Sequence, residues 1–448
     1  MTNTINKERL IGTGICLLFL FGYCLIAGLS LFIPLLLSIY AFHLVIFRRA
    51  DTKRLMHVAL LFAVIVFAAS AMMHYTRFSP YYIPVASIPM LAMLLFSELP
   101  LAFSMSLMAS ALVVLMAGTG VDHLLISFTG GLVGAYAIRN ARTRGTVLRA
   151  GLFVGIAQGL GYFLFHPQFV ASVWERGVMP FVINGLLISA GIVIATLKVF
   201  EYLFEELTNF SLLELSDSLN QPLLKRLAFE APGTYHHSLV LSNIAGAAAD
   251  AIGANQLLVR VGSYYHDIGK LVKPEYFAEN QMMASNKHDV LEPSMSRLVI
   301  LNHVKEGAEI ARKDCLSQKI VDFIEQHHGT SLMHYFYQKA LETDGEEAVE
   351  EQNYRYPGPR PQTREVAIVM LADSVEGATR AIEEHSPVKI EEVVRRVINN
   401  KFIDGQLDEC SLTLREIEMI GSAFARVLSA MYHVRVKYPN LPKKSNGH

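Results

Sequence analysis

The stretch "SYYHDIGK" (263–270) sets His266 directly before Asp267 and places Lys270 one helical turn further on. An imidazole beside a carboxylate offers two metal ligands of different kind, but a single His-Asp pair arises easily by chance. The rest of the chain supplies company for it. His303 lies in "VILNHVKEGAEIA" (299–311), His327 and His328 in "IEQHHGTS" (324–331), and Asp373 in "IVMLADSVEGATR" (368–380). Upstream, "TYHHSLV" carries His236 and His237, either of which could join on residue type alone. Each of these residues interrupts an otherwise apolar or small-residue pattern, where a polar group must be paired or must coordinate something. One such residue is most simply a satisfied core histidine. A set of seven spread over several segments points instead to metal coordination, and mixed imidazole and carboxylate donors suit iron, manganese or zinc better than calcium or magnesium.

The elements that must position this set read as helices. "HSLVLSNIAGAAADAIG" (237–253) ends at a glycine suited to a helix C-terminus, and His237 opens it. In "NQLLVRVGSYYHDIGKL" (255–271), Leu258, Val261, Tyr265 and Ile268 recur at spacings of three and four, one face of a single helix. On that helix Lys270 shares a face with Asp267. Strand signals are weak, so the fold class expected is all-α. "YRYPGPRP" (354–361) must be a loop because proline cannot continue a helix; carrying Arg355 and Arg360, it could flank the site, but neither arginine is assigned a role. Thr330 and Tyr337 are weaker candidates for the pocket wall, and His236, His288 and His334 are read as non-ligands.

The first half of the chain is of a different kind. Of 448 residues, 52% are hydrophobic and 18% charged, against roughly 25% charged in soluble proteins, and nearly all the excess lies before residue 200. Eight apolar runs are read at 10–28, 30–47, 56–73, 81–97, 101–117, 122–138, 150–166 and 179–199, each near the ~20 residues that cross a hydrocarbon core. Backbone groups in lipid must pair internally, so each run should be helical. Basic residues cluster in "RRADTKR" (48–54) and "RNARTRGTVLR" (139–149), with Lys7 and Arg9 before the first run. Eight spans put all three places, and the polar half, on the cytoplasmic side. The first run also has the form of a cleaved signal peptide, but a second span follows it at once. A net charge of −1 gives no case for a nucleic acid polymer as partner. Cys16, Cys24, Cys315 and Cys410 form neither a zinc pattern nor a disulfide framework.

The organisation expected is a polytopic membrane domain (1–200), a helical linker (201–232), a cytosolic all-helical domain (233–438) and a disordered tail (439–448). The linker carries no Gly/Ser stretch. A stiff joint of that kind serves either as a tether or as a way to pass movement or homodimerisation to the polar half.

The order His…His-Asp…His…His-His…Asp resembles the HD superfamily of metal-dependent phosphohydrolases. The phrases "LLELSDSLNQPLLKRLAFEAPGTYHHSLV", "YYHDIGKLVKPEYFAENQ", "IEQHHGTSLMHYFY", "YRYPGPRPQTRE" and "DGQLDECSLTLRE" are similar to its seven-transmembrane branch, densely over about 205–435 and more loosely before. The resemblance implies a phosphodiesterase that opens cyclic-di-AMP to pApA at a two-metal centre loaded with iron or manganese. It also implies a division of labour. His237, rather than His236, would join His266, Asp267 and Asp373 on one ion. His303, His327 and His328 would hold the second, Asp267 would bridge the two, and Lys270 would bind a substrate phosphate. Two ions suit such a reaction because together they neutralise phosphate oxygens, acidify a water and align its attack. In that branch a large extracellular domain follows the first span, where this chain has only the residues around "AGLS" (27–30). Two alternatives stay open: a hydrolase of cyclic-di-GMP or another nucleotide phosphate, against which the missing "GYP" motif argues, and a receptor that binds nucleotide without cutting it.

Overall fold

The computed structural model describes residues 22, 32–48, 52–75, 78–167, 179–281, 287–345 and 348–432. The expected first span, the "AGLS" connection, Cys16, Cys24 and the C-terminal tail lie outside the described residues. Helices dominate, and among the described residues the only strand-like pairing is an isolated antiparallel bridge between Leu332 and Arg355. The protein is all-α. Its chain divides into two compact units, Met1–Phe210 and Ser211–His448.

In the first unit the apolar runs become α1 (Phe32–Arg48), α2 (Thr52–Tyr75), α3 (Ser87–Phe96), α4 (Leu99–Ala117), α5 (Val121–Ile138), α6 (Arg144–Phe165) and α7 (Ala190–Phe204). A short helix, Met179–Val182, and a π-helical segment, Ile183–Ser189, run straight into α7. Five stretches are long and apolar enough to cross a membrane: Lys53–Tyr75, Leu99–Ala117, Val121–Ile138, Arg144–Phe165 and Met179–Phe204. The run read at 81–97 departs from expectation. It breaks into a 3-10 turn, Pro80–Tyr82, and the ten-residue α3, about 15 Å of helix at 1.5 Å per residue. Ser87–Leu95 are all buried inside the unit, so this run is apolar because protein surrounds it. The π segment lies hard against α6: a Cβ on Gly185 would come within 2.2 Å of the Gly151 carbonyl oxygen, the small-residue contact that lets membrane helices touch by backbone. Arg54 pairs with Glu98 at 2.7 Å and Lys53 with Glu205, which gathers the start of α2, the α3–α4 turn and the end of α7 at one end of the unit.

The second unit contains α8 (Asn209–Leu215, which starts just before it), α9 (Pro222–Glu230), α10 (Pro232–Ala251), α11 (Gln256–Tyr265), α12 (Pro293–Lys313), α13 (Gln318–Gln326), α14 (His334–Asp344), α15 (Arg364–Arg380), α16 (Pro387–Ile403) and α17 (Leu414–Met431). Local chemistry sets several of the starts. Proline opens α9, α10, α12 and α16, where its missing N–H costs nothing. Asn255 and Thr363 cap α11 and α15 with their side chains, and Thr413 and Glu416 form a capping box on α17. The spine is α15: Val366 through Ala372 are at most 1% exposed, because α10, α11, α13 and α16 enclose it.

Two sequence expectations shift here. Helix α10 starts at Pro232, so His237 sits in its second turn rather than at its mouth. The helix expected over 255–271 stops at Tyr265 and resumes as a 3-10 turn, Ile268–Val272. Gly269 shows why. Its backbone lies so close to α12 that a Cβ there would fall 1.8 Å from the His303 carbonyl oxygen and 2.6 Å from the Gly307 nitrogen. A straight helix could not make that approach, and the break carries His266 and Asp267 off the helix end into the domain centre.

Candidate metal centre

Five elements bring the predicted ligands together. His237 comes from α10, His266 and Asp267 from the junction after α11, His303 from α12, His327 and His328 from the end of α13, and Asp373 from the spine α15. Three groups have one ligand atom per residue within 4.8 Å of one another: His237, His266 and Asp373; His303, His327 and His328; and His266, Asp267 and His327. The last group links the other two. Of the histidine pair left open by sequence, His237 is buried in the cluster and His236 is exposed. His334 is exposed and His288 is engaged elsewhere, its Nε2 lying 2.8 Å from the Tyr276 carbonyl.

Backbone carbonyls set the direction of the imidazoles. His266 Nδ1 donates to the Ser263 carbonyl at 2.8 Å, His303 Nδ1 to Ile300, and His327 Nδ1 to Ile324 at 2.9 Å. A ring whose Nδ1 carries the proton presents a bare Nε2 lone pair, the form that binds a metal. Those lone pairs converge. His303 and His327 face each other Nε2 to Nε2 at 3.4 Å, and both look onto Asp267 Oδ1, at 3.4 and 3.7 Å. Asp267 is 2% exposed, yet its Oδ1 has no hydrogen-bond partner, and neither does His266 Nε2. Buried acceptors aimed at one another repel unless a cation lies among them. The donor set and these orphaned atoms therefore fit divalent transition ions.

The electrostatics divide the cluster in two. Burial would lower the His237 imidazolium, but Asp373 at 3.2 Å and Glu376 at 3.2 Å reverse this and hold it up at about 10. Burial would raise Asp373, and His237 beside it drives the carboxyl far below the usual carboxylate range. This half demands a cation, a proton if nothing else. On the other side burial, joined by the neighbouring imidazoles, brings His327 down to about 3 and holds His328 well below its ordinary value, while His303 is also lowered chiefly by burial. These three rings are kept neutral.

Lys270 is no solvated helix-end charge. Its Nζ lies 2.7 Å from Asp267 Oδ2 and 2.7 Å from Glu279 Oε1. Burial would lower this ammonium, but the two carboxylates push it above its usual value. Glu279 also accepts the Thr234 hydroxyl, and Asn280 holds Thr234 from both its side-chain atoms. The turn Ala278–Asn280 therefore ties Lys270 to the start of His237's helix.

Sequence reading passed over three residues here. Glu376 lies 3.2 Å from His237 Nδ1, behind the ligand, and is held by Arg380. Its signal was available, since it stands three residues after Asp373 on the same helix face. Glu279 gave no such sign. Tyr356 stacks on His328 with ring centroids 4.2 Å apart; its loop was singled out, but for the arginines. Those arginines are structural: Arg355 forks onto Asp404 and Arg360 pairs with Asp408. Thr330 is bound to Gln406, and Tyr337 packs on Tyr354.

A histidine–aspartate cluster of this order in a helical frame defines an HD domain, and the family model described as "HD domain" matches residues 234–378. A second model, "7TM receptor with intracellular HD hydrolase", matches residues 17–208. Between them the two models match both halves of the chain, which is in this respect similar to multi-pass membrane proteins carrying an HD domain. It is 48% identical over 247 residues to the cyclic-di-AMP phosphodiesterase PgpH of Listeria monocytogenes, covering 55% of this chain and 34% of that protein. It is 41% identical over 318 residues to PgpH of Bacillus subtilis, covering 70% and 44%. The chain thus spans less than half the length of these curated relatives. The crystal structure of the L. monocytogenes PgpH HD domain in complex with cyclic-di-AMP shares 50% identity, covers 48% of this chain and 99% of that one, and has a TM-score of 0.46.

Proposed function

We propose that the protein is a membrane-anchored, metal-dependent phosphodiesterase that opens cyclic-di-AMP to linear pApA. The observation that carries this reading is the convergence of bare imidazole nitrogens on an unpartnered oxygen of Asp267. The two curated relatives named above support the substrate, since both are called cyclic-di-AMP phosphodiesterases. Iron or manganese is the fitting metal for six nitrogen- and oxygen-bearing side chains with Asp267 between them.

A bound pair of such ions neutralises phosphate oxygens and makes a water acidic enough to attack phosphorus. His237, His266, Asp267 and Asp373 would hold one ion and His303, His327 and His328 the other, with Asp267 shared. Glu376, 3.2 Å from His237 Nδ1, would favour the proton on that nitrogen once an ion takes the place of the proton on Nε2. Lys270 spends two of its three donors on Asp267 and Glu279 and has the third for an oxygen of the reacting phosphate. In the reaction water adds to phosphorus, the bond to the ribose 3′ oxygen breaks, and that oxygen leaves protonated. Burial of the cluster excludes bulk water and strengthens each of these interactions.

The basic stretches 48–54 and 139–149 support an orientation with the HD domain in the cytosol, on the inner (cytoplasmic) membrane, and a homodimer is the assembly a stiff helical joint would serve. The test is metal analysis of the full chain in detergent followed by a panel of cyclic dinucleotides. Two equivalents of iron or manganese and preferred turnover of cyclic-di-AMP are expected. Metal-loaded protein that turns over no cyclic dinucleotide overturns the reading.

A further inference from the structure

Lys401 has no place in the scheme above. It lies in the last turn of α16, half-buried, and its Nζ donates to the Ser331 hydroxyl at 2.6 Å. Ser331 is buried three residues after His328, and its backbone is fixed at both ends: its N–H reaches the His328 carbonyl and its own carbonyl accepts from the Tyr356 N–H. The lysine is therefore pinned to the rim of the metal centre by the same loop that delivers His328.

Its charge is poorly matched. The Ser331 hydroxyl is neutral. Asp404, the nearest acid in sequence, is already forked by Arg355 and bound by Gln406. Burial pulls the Lys401 ammonium below its ordinary value, opposed by the charges of Asp373 and Asp404 and reinforced by that of Arg355. Asp373 belongs to the ligand cluster, so a bound metal would take up its charge and leave the ammonium still less compensated. A half-buried cation with no carboxylate bonded to it is better stabilised when an anion arrives.

The other basic groups around this loop offer no such vacancy. Arg355 and Arg360 are committed to Asp404 and Asp408, and Lys270 to Asp267 and Glu279. A cyclic dinucleotide brings two phosphodiesters, of which one can react at a time. The second remains an anion a few bonds away and has to be housed without being cut.

We propose that Lys401 and the Ser331 hydroxyl form a second phosphate subsite, which binds the non-reacting phosphodiester of a cyclic dinucleotide. This rests on the phosphodiesterase reading and sharpens it, because it gives the site a reason to prefer substrates with two linked phosphates. Lys401 acts as a substrate-binding residue here, with no part in bond cleavage. Ser331 orients the ammonium and adds one donor of its own.

The experiment compares cyclic-di-AMP with bis(p-nitrophenyl) phosphate, a diester with a single phosphate, on the manganese-loaded full chain. Lys401→Met is expected to raise KM for cyclic-di-AMP at least tenfold while kcat falls less than threefold. The ratio of kcat/KM for cyclic-di-AMP to that for the simple diester should drop at least tenfold. Lys401→Arg keeps the charge and should recover most of that ratio, and Ser331→Ala should lower it severalfold. Equilibrium binding of cyclic-di-AMP to metal-free protein, which needs no turnover, should weaken at least fivefold in Lys401→Met. Equal losses on both substrates, or unchanged cyclic-di-AMP binding, would overturn the subsite and leave Lys401 a structural residue. A wild-type protein that cleaves the simple diester but neither binds nor cleaves any cyclic dinucleotide would instead overturn the cyclic-dinucleotide reading itself.

Discussion

Asn184 in the membrane unit and Asp267 in the HD unit are both 2% exposed, and the fold treats them in opposite ways. Asn184 donates to the carbonyls of Tyr81 and Ile83, at 2.6 and 3.1 Å, and accepts the Ser189 hydroxyl at 2.9 Å. Its polar atoms are used up in holding the π-helical segment to the turn before α3. Asp267 keeps one oxygen bare, and the nearest groups to it are imidazole nitrogens whose protons have been drawn off to backbone carbonyls. A buried polar group that is satisfied explains a fold. A buried polar group left unsatisfied amid others of its kind asks for a ligand. Isolated orphans such as Gln158 Oε1 in the membrane unit carry no such message, because nothing converges on them.

The sharpest way to break the contrast is to remove the bare oxygen. Asp267→Ala takes away the carboxylate proposed to be shared and strands Lys270 beside Glu279. Hydrolysis of cyclic-di-AMP should fall at least a thousandfold, about 4 kcal/mol of transition-state stabilisation, with metal content dropping from two ions toward one or none. Metal analysis and initial rates on one preparation check both. Full metal content with near-normal turnover would remove the bridge from the scheme.

The converse experiment is Asn184→Leu. It leaves two carbonyls and a hydroxyl without partners at roughly 1–3 kcal/mol for each that finds no substitute. The membrane unit should lose about 3 kcal/mol, seen as a lower melting temperature in detergent, while the metal content of the HD domain stays at wild-type level. A neutral result would mean that lipid, water or neighbouring groups satisfy those carbonyls as well as Asn184 does.

A middle case is Glu376, which is buried like Asn184 but faces His237, a ligand in the proposed scheme. Glu376→Gln keeps its size and weakens its hold on the His237 Nδ1 proton. Outer partners of metal-bound histidines are worth about 10–100-fold in metal affinity, so competition with a chelator should show a loss in that range. Glu376→Asp should recover part of it. The metal-free protein should also melt lower in Glu376→Gln, because the carboxylate supports the charged His237 ring, and a purely structural Glu376 would show that loss with metal affinity unchanged.

How far sequence reached follows the same divide. The histidines and aspartates that cluster were legible because polar groups interrupting apolar helical patterns stand out one by one. Glu376 was legible in principle, by its spacing from Asp373. The break between α11 and the turn at Ile268 was not, because its cause is Gly269 pressed against α12, thirty-four residues and more along the chain at His303. Glu279 and Lys401 were invisible for a like reason: their partners lie on elements that only the tertiary fold brings near. In the membrane half the run at 81–97 shows the limit of hydropathy, since α3 is as apolar as a span and yet only ten residues long. Apolar composition registers burial and does not say whether lipid or protein does the burying.

The finest probe of the comparison is a ligand whose removal should cost the fold almost nothing. His327 is at most 1% exposed, so by the logic of Asn184 its loss should be severe. Its Nε2, however, faces two other electron-rich atoms, His303 Nε2 at 3.4 Å and Asp267 Oδ1 at 3.7 Å, and gains nothing from either without an ion. His327→Leu removes that repulsion, fills similar space, and gives up only the Nδ1 bonds to carbonyls at the end of α13. The metal-free variant should melt within about 3 °C of wild type, in line with a change under ~1 kcal/mol, and should bind one ion fewer. Added manganese should then stabilise wild type far more than the variant, because only the intact set turns its mutual repulsion into binding energy. A metal-free His327→Leu protein as damaged as Asn184→Leu would mean that the imidazole is a structural core residue, and the division drawn between the two kinds of buried polar group would fail at its centre.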